Sequence, residues 1–572
     1  MNTRIRNFIK LSTPYGLLSL INQRHERKWL NRKWYHFWQG SLLKNVECKH
    51  LFFDKKMEDI FYVMQQEESR IAVRIKSNDT LKIGPLLLSQ KYIQFGISLY
   101  RKEAQVRDLK IFLNNNLVSY LKGTMESSRW IDIRIPLQEH NMFYDVKIQY
   151  SGSSELFFAN PIIGMKEKNR DQNFIILMLD ALIPPHLGYQ KNDSKDSVTP
   201  YIDHYFSSGR IYENCFSQGD WTLPSVNSMF TGLYPSQHGV VNPGHYGRKI
   251  PSQIPTLGEL LKGKGYHTFC FSTVRRLLPS YGHQRGFDRF LYSQWHTTEN
   301  SSGRYIVNSA IEFIESHYDE PFFLLLHFNE SHPPYGKLSY FSNTQLSPYR
   351  LFSAVEGCEE RKYKKNNSLE LKTEIEHIGT AKLRQLDLFL SCLFNYLNQR
   401  GLDRNTTVFL TSDHGWNFRD DAPVLKLERV HIPLLIKGPT IKEGRIKDII
   451  EVSVDLYPTI LKLADISFPE HIVGRDILEE SVSRKYAISE SCFKGIYEIS
   501  IRDFKWCYIY RCEMDSSSGE IFKEKILGEY LFERDKNDGR EDCNSNVACH
   551  HPKVIADFKK EVEKICLYKR FF

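Results

Sequence analysis

From Asn173 onward the chain alternates short, almost wholly apolar runs with stretches of helical periodicity, and this alternation limits the fold more than any other feature. The apolar runs cover residues 174–179, 268–272, 322–328 and 407–411. Helical patterns cover residues 199–208, the stretch after Pro224, and residues 254–263, 305–317 and 371–400. Such alternation predicts an α/β fold with a mainly parallel sheet covered by helices on both faces. In a sheet of that kind the ligand site lies beyond the carboxyl ends of the strands. Asp180, His332 and the adjacent pair Asp413 and His414 each fall at or just past such an end, so the pattern gathers them on one edge.

Before residue 165 the period changes to two. Residues 71–76, 92–99, 131–137 and 144–150 alternate apolar with polar side chains, which predicts half-buried antiparallel strands and hence a β-sandwich of jelly-roll type. Trp130 and Tyr150 are candidates for stacking on a sugar ring and equally for the core. The expected organisation is a basic N-terminal segment (1–40), the β-sandwich (41–168), the α/β unit (172–485) and a small sheet with a last helix (486–572).

The net charge of +9 over 572 residues is unevenly placed. Residues 1–33 carry eight Lys and Arg against the single acid Glu26, interleaved with Ile5, Phe8, Ile9, Leu17, Leu18 and Trp29. A basic amphipathic segment can lie on an anionic membrane surface, gaining about 1 kcal/mol per basic residue near it. Pro14 and Gly16 break the segment, so an ordinary solvated helix face competes with that reading. There is no nucleic-acid-binding motif and no longer basic stripe, so no nucleic-acid partner is expected. Eleven cysteines at irregular spacing, with no Cys-x-x-Cys pair, read as reduced thiols. No stretch approaches the roughly 20 apolar residues of a membrane span. The expected location is the cytoplasm or the inner face of the membrane.

Five runs carry the candidate chemistry, and a sixth closes the pattern near the end of the chain. The run from Thr222 to Gly239 reads TLPSVNSMFTGLYPSQHG; upstream, FIILMLD ends in Asp180. Downstream come FFLLLHFNESHPPY (322–335), TVFLTSDHG (407–415) and VHIPLLI (430–436), and GEYLFERD (528–535) precedes a last helix. In order and spacing these runs resemble the sulfatases of the alkaline phosphatase superfamily, whose signature places a nucleophile before x-Pro-Ser and Thr-Gly-x-x-Pro. The resemblance covers about residues 172–570.

The resemblance implies one divalent cation held by Asp180, Asp413, His414 and the oxygen of Thr222, which is also the nucleophile. Three oxygens and one imidazole favour Mn²⁺ or Zn²⁺ and are compatible with Mg²⁺ or Ca²⁺. Metal contact and a helix N-terminus would both favour the alkoxide of Thr222. His332 is a candidate to contact the ester or protonate the leaving group. His238, Arg275, Lys426 and His431 are candidate substrate contacts, and His327, inside an apolar strand, reads as core or second shell. Asp387 followed by Ser391 has the acid but lacks the histidine of a second metal motif.

This chain departs from the sulfatase pattern at the nucleophile. Formylglycine-dependent sulfatases have Cys or Ser where Thr222 stands and Arg where Val226 stands, and the second acid of their Asp pair is Ala181 here. What is left resembles the threonine-nucleophile transferases of the superfamily, which pass phosphoethanolamine or phosphoglycerol groups. The sequence therefore points to an enzyme that cleaves or transfers a phosphoester through Thr222, onto a glycan or lipid-linked glycan. A sulfatase working without formylglycine and a non-catalytic protein holding an anionic glycan are the alternatives.

Overall fold

The computed structural model describes the chain between residues 60 and 566 apart from loop segments, of which 293–302 and 334–368 are the longest. The basic segment 1–40 and Arg275 lie outside the described residues. The first nine strands are β1 (Ile60–Gln65), β2 (Glu68–Ile75), β3 (Thr80–Ile83), β4 (Tyr92–Leu99), β5 (Val106–Leu113), β6 (Asn116–Met125), β7 (Ile131–Pro136), β8 (Tyr144–Ser151) and β9 (Leu156–Gly164). All their pairings are antiparallel. One layer runs β2-β9-β4-β7 and the other β3-β8-β5-β6. Period-two alternation puts Ile93, Phe95, Ile97 and Phe158 of one layer against Val106, Ile111, Val146 and Ile148 of the other, a core closed between two sheets. Tyr150 belongs to that core and its hydroxyl bonds to Ile75 O, while Trp130 packs on Phe157 and Ala159. Both aromatic candidates for sugar stacking are thus packing residues.

The α/β part contains β10 (Asn173–Leu179), α1 (Pro200–Phe206), β11 (Arg210–Phe216), α2 (Thr222–Thr231), α3 (Pro235–His238), α4 (Leu257–Gly263), β12 (His267–Ser272), β13 (Arg289–Tyr292), α5 (Gly303–His317) and β14 (Phe322–Phe328). It continues with α6 (Leu369–Gln399), β15 (Thr406–Thr411), α7 (Leu427–Val430), β16 (Leu434–Lys437), β17 (Gly444–Glu451) and α8 (Val452–Leu463). Its strands run β17-β11-β16-β15-β10-β14-β12-β13, parallel except for β16. This is the expected mainly parallel sheet. Strands β10, β12, β14 and β15 are buried along their whole length, which is why their sequences are continuous apolar runs. Beyond β13 the sheet continues into the sandwich, because Phe290 and Leu291 pair antiparallel with Ser69 and Glu68 of β2.

Each central strand divides its side chains between two cores. Phe174, Ile176 and Met178 of β10, Phe323 and Leu325 of β14, and Phe409 of β15 face the helices α2, α4 and α8. Their neighbours in sequence face α1, α5 and α6. Strands β18 (Ala487–Phe493), β19 (Ile496–Arg502), β20 (Trp506–Met514) and β21 (Ile521–Glu533) form a separate antiparallel sheet in that order, covered by α9 (Pro552–Cys566) through Phe558, Val562 and Ile565. Strand β18 abuts the loop before α2: Glu490 N bonds to Gln218 O at 3.0 Å and Ser489 Oγ to Ser217 O at 2.6 Å.

Candidate active site

Asp180 stands one residue past β10, Asp413 and His414 two and three past β15, and Thr222 opens α2 on the neighbouring edge. Helix α2 is buried in all ten residues, and Trp221 before it is extended, with no side-chain cap bond. The first-turn N–H groups therefore point into the site without intrahelical partners, a polarity that favours negative charge at Thr222. Gly219 lets the loop turn tightly onto the helix, since a Cβ there would lie 2.8 Å from Pro224 Cγ and 2.9 Å from Ser225 N. Gly415 has the same reason to be glycine: a Cβ would meet Glu428 O at 2.1 Å.

Three hydroxyls fix Asp413 against α2. Ser217 Oγ donates to Asp413 O at 2.5 Å, Ser225 Oγ bonds to the same carbonyl, and Ser225 Oγ is 2.9 Å from both Ser217 Oγ and Ser453 Oγ. The Pro224-Ser225 pair after Thr222 is thereby tied to the turn that follows β15. Ala181 N and His414 N both donate to Asp413 Oδ1, at 3.2 and 2.9 Å, while Asp413 Oδ2 is buried with no hydrogen-bond partner among the described residues. Ala181 has φ 61°, a left-handed conformation costing roughly 1–2 kcal/mol for a residue with a Cβ, and it aims its N–H at the carboxylate.

His414 Nδ1–H donates to Gly415 O at 2.7 Å, which turns Nε2 inward. That Nε2 lies 3.2 Å from Asp180 Oδ1, 3.6 Å from Asp413 Oδ2 and 3.5 Å from Thr222 Oγ1. Burial works against charge on His414, but Asp413 and Asp180 outweigh it and bring its pKa up to about 9. Asp180 is raised by burial and by Asp413; at Asp413 burial is outweighed by His414 and His327, and the carboxyl stays below its ordinary value.

A carboxylate oxygen buried without a partner costs about 1–3 kcal/mol, more when charged. Asp413 Oδ2 sits in such a position among Asp180, His327 and His414, and Asp180, His327 and Asp413 bring their ligand atoms within 4.8 Å of one another, as do Asp180, His332 and His414. This donor set fits one divalent cation.

The sulfatase family model matches residues 172–466. The chain belongs to the sulfatase family. It is 23% identical over 480 residues to arylsulfatase K of Xenopus laevis, covering 71% of this chain and 85% of that one. Among solved structures it resembles a 2-O GAG sulfatase (TM-score 0.53, 18% identity, 69% of this chain and 92% of that one). It also resembles the phosphonate monoester hydrolase of Agrobacterium radiobacter (TM-score 0.53, 15% identity, 69% and 95%). The family and these folds make the chain an enzyme of the alkaline phosphatase superfamily.

Of the residues singled out in the sequence, Asp180, Thr222, Asp413 and His414 come together. His332 joins them at the mouth, half-buried, its ring 5.9 Å from that of His414 and 5.1 Å from that of Trp416. Burial lowers its pKa and Asp180 opposes this. His238 is different. Its Nε2 lies 3.2 Å from Pro224 O and 3.3 Å from Ser228 Oγ, and Nδ1 accepts from Val240 N, so it braces α2 from within and faces no substrate. Burial drops its pKa to about 3. His431 likewise spends Nε2 on Glu213 O at 3.0 Å and packs on Phe216, so both histidines are structural and not substrate contacts. Lys426 opens α7 half-buried. From the same helix Arg429 reaches to 5.3 Å from the Trp416 ring, a rim cation that sequence reading passed over because it lies in no motif. Asp387 accepts from Tyr201 N and Ile202 N at 3.1 and 2.8 Å, capping α1 from a distance, which explains an acid there without a second metal.

His327, read from the sequence as a core residue or one standing behind the ligands, comes closer to the site than that. It lies within β14, fully buried, with Nε2 3.8 Å from Asp413 Oδ2. Burial pushes its pKa down to about 4 while Asp413 opposes.

Proposed function

We propose that the chain hydrolyses a sulfuric ester carried on an anionic glycan, using unmodified Thr222 as nucleophile and one divalent cation, with Mn²⁺ or Zn²⁺ favoured by the nitrogen ligands. The observation that carries this reading is the position of Thr222 Oγ1: at the N-terminus of a buried helix, 3.5 Å from His414 Nε2, in one cluster with Asp180 and Asp413. The intact cluster argues against a protein that only binds glycan.

Asp180, Asp413, His414 and Thr222 would hold the cation, which when bound neutralises the ester oxygens and lowers the pKa of the nucleophile. Thr222 gives up its hydroxyl proton to solvent and its Oγ1 bonds to sulfur. The S–O bond to the sugar breaks, and the sugar oxygen takes a proton from protonated His332. Water, giving a proton to the now neutral His332, then attacks the same sulfur; the S–O bond to Thr222 breaks, the Thr222 oxygen takes a proton from solvent, and sulfate leaves. Trp416 and Arg429 beside His332 form a rim suited to an acidic sugar.

A second reading is favoured by one observation. Residue 222 is a threonine that lacks the formylglycine route, and phosphothreonine chemistry would let a phosphoester group pass to water or to a glycan hydroxyl. Incubation of the full chain with aryl sulfates, sulfated oligosaccharides and phosphate mono- and diesters tests both. Sulfate esters are expected to turn over fastest, with a trapped gain of about 80 Da on the peptide containing Thr222. Faster turnover of phosphodiesters would install the second reading; no turnover by metal-replete enzyme would remove both.

We further propose that residues 1–33 hold the enzyme on the inner face of an anionic membrane, motivated by their eight basic residues. Deleting them should abolish binding to phosphatidylserine vesicles and leave turnover of a soluble ester intact. Raised salt should weaken binding of the full chain, because the attraction is screened over about 8–10 Å at ordinary ionic strength. Equal vesicle binding by both chains would leave only a surface segment.

A further inference from the structure

His327 sits in an apolar strand between Leu326 and Phe328, is inaccessible to solvent, and has no hydrogen-bond partner at either ring nitrogen among the described residues. Three other histidines, buried or half-buried, turn a nitrogen onto a carbonyl: His238 onto Pro224 O, His431 onto Glu213 O, and His317 onto Phe313 O at 2.9 Å, while buried His267 pairs with Glu320 and His283 accepts from Leu278 N. That is how a histidine filling a core normally satisfies itself. His327 instead presents Nε2 to Asp413 Oδ2, an oxygen that also carries no hydrogen bond. A nitrogen lone pair and a carboxylate oxygen facing each other in a dry interior are reconciled by a cation.

The strand geometry places them there. His327 follows Phe323 and Leu325 on the face of β14 that packs against α2, and Asp180 and Asp413 continue the same alternation beyond Met178 and Phe409. The donor separations of 3.2 Å (His414 to Asp180), 3.6 Å (His414 to Asp413) and 3.8 Å (His327 to Asp413) are close to the ligand–ligand edges of roughly 3.3–3.6 Å that bonds of 2.0–2.2 Å give around a tetrahedral ion. We infer that His327 is a direct ligand of the active-site cation through Nε2, giving two imidazoles and two carboxylates with Asp180, Asp413 and His414, to which the Thr222 oxygen adds as a fifth donor. The inference rests on the metal-dependent reading given above. Its consequence is selectivity: two nitrogen donors favour Zn²⁺, Co²⁺ or Mn²⁺ over Ca²⁺ and Mg²⁺, which take oxygen shells. His332 stays on the substrate side, half-buried beside Trp416.

The full chain loaded with Co²⁺ gives a readout independent of turnover. His327→Ala should weaken Co²⁺ binding by about 100-fold and shift the visible absorption of the bound ion, whereas Asp413→Ala should abolish stoichiometric binding. Ala181→Asp in the His327→Ala background should recover affinity and move preference toward Ca²⁺, since a left-handed residue tolerates Asp well and its N–H already reaches Asp413. Pulsed electron spin resonance of the wild-type chain with Cu²⁺ counts coordinating imidazoles without relying on any His327 variant folding. Two are expected, in the wild type and in His332→Ala alike. One imidazole, or His327→Ala binding Co²⁺ with unchanged affinity and spectrum, overturns the assignment while leaving the metal-dependent reading intact. Unchanged metal binding in Asp413→Ala would instead bring down that reading itself.

Discussion

Thr222→Ala is expected to lower kcat by on the order of 10³-fold or more, because it removes the atom that bonds to sulfur or phosphorus rather than one that assists it. The fold should barely notice. Trp221 and not Thr222 occupies the cap position of α2, and the helix start makes no side-chain cap bond, so the lost hydroxyl is not one on which the helix depends. A stability change within about 1 kcal/mol is expected from trimming a γ-methyl and a hydroxyl at a buried site. Thr222→Ser keeps the oxygen and should retain part of the rate, losing only the rotamer restriction that the β-branch imposes. Steady-state kinetics on the preferred ester, with thermal melts of each variant, give the comparison. Survival of a tenth of the wild-type rate in Thr222→Ala would show that water attacks directly and that Thr222 serves only the cation.

The sequence made the central sheet legible for a physical reason. Strands buried on both faces must be continuous apolar runs, and the residues just past their ends, Asp180, Asp413 and His414, have no packing reason to be acidic or basic there. Thr222 was legible through its neighbours: Pro224, Ser225, Thr231 and Gly232 form a run whose spacing is informative only as a whole. His327 was hidden by the same rule that revealed the strand, since one polar residue in an apolar run reads as a satisfied core group. Its shared face with Phe323 and Leu325 was present in the alternation and was the signal available. His238 and His431 were misplaced for the opposite reason. Their partners, Pro224 O and Glu213 O, are backbone carbonyls delivered by the tertiary fold, and nothing in a sequence marks a carbonyl. The continuation of the sheet from β13 into β2 is likewise a backbone pairing between segments some 220 residues apart, with only Phe290–Leu291 and Glu68–Ser69 involved.

Arg484→Met is expected to destabilise the fold by about 3–5 kcal/mol, the range for stranding a buried charge by removing its partner. Arg484 is 9% exposed and joins two acids: Nη1 lies 2.6 Å from Glu451 Oε2, Nε bonds to Asp455 Oδ2 at 3.1 Å, and Nη2 reaches both Asp455 and Val473 O. Glu451 in turn accepts from Tyr234 OH at 2.9 Å and from Ile488 N at 2.7 Å, so this one cation links α3, β17, α8 and the entry to the C-terminal sheet. The loss should depend on pH in a set direction. Burial, with Asp455 adding to it and Arg484 opposing, raises Glu451 to about 7. A carboxyl raised above its unfolded value of about 4.3 contributes stability that is whole below that value and lost as pH rises through about 7. Without Arg484 the ionised form of Glu451 is penalised further and the neutral form is not. The variant should therefore lose more stability relative to wild type at pH 8 than at pH 5, where Glu451 carries a proton in both. Urea titrations at the two pH values measure the difference. An equal loss at both would mean that Arg484 acts through Asp455 and its packing alone, and that the Glu451 arm of the network carries no net energy.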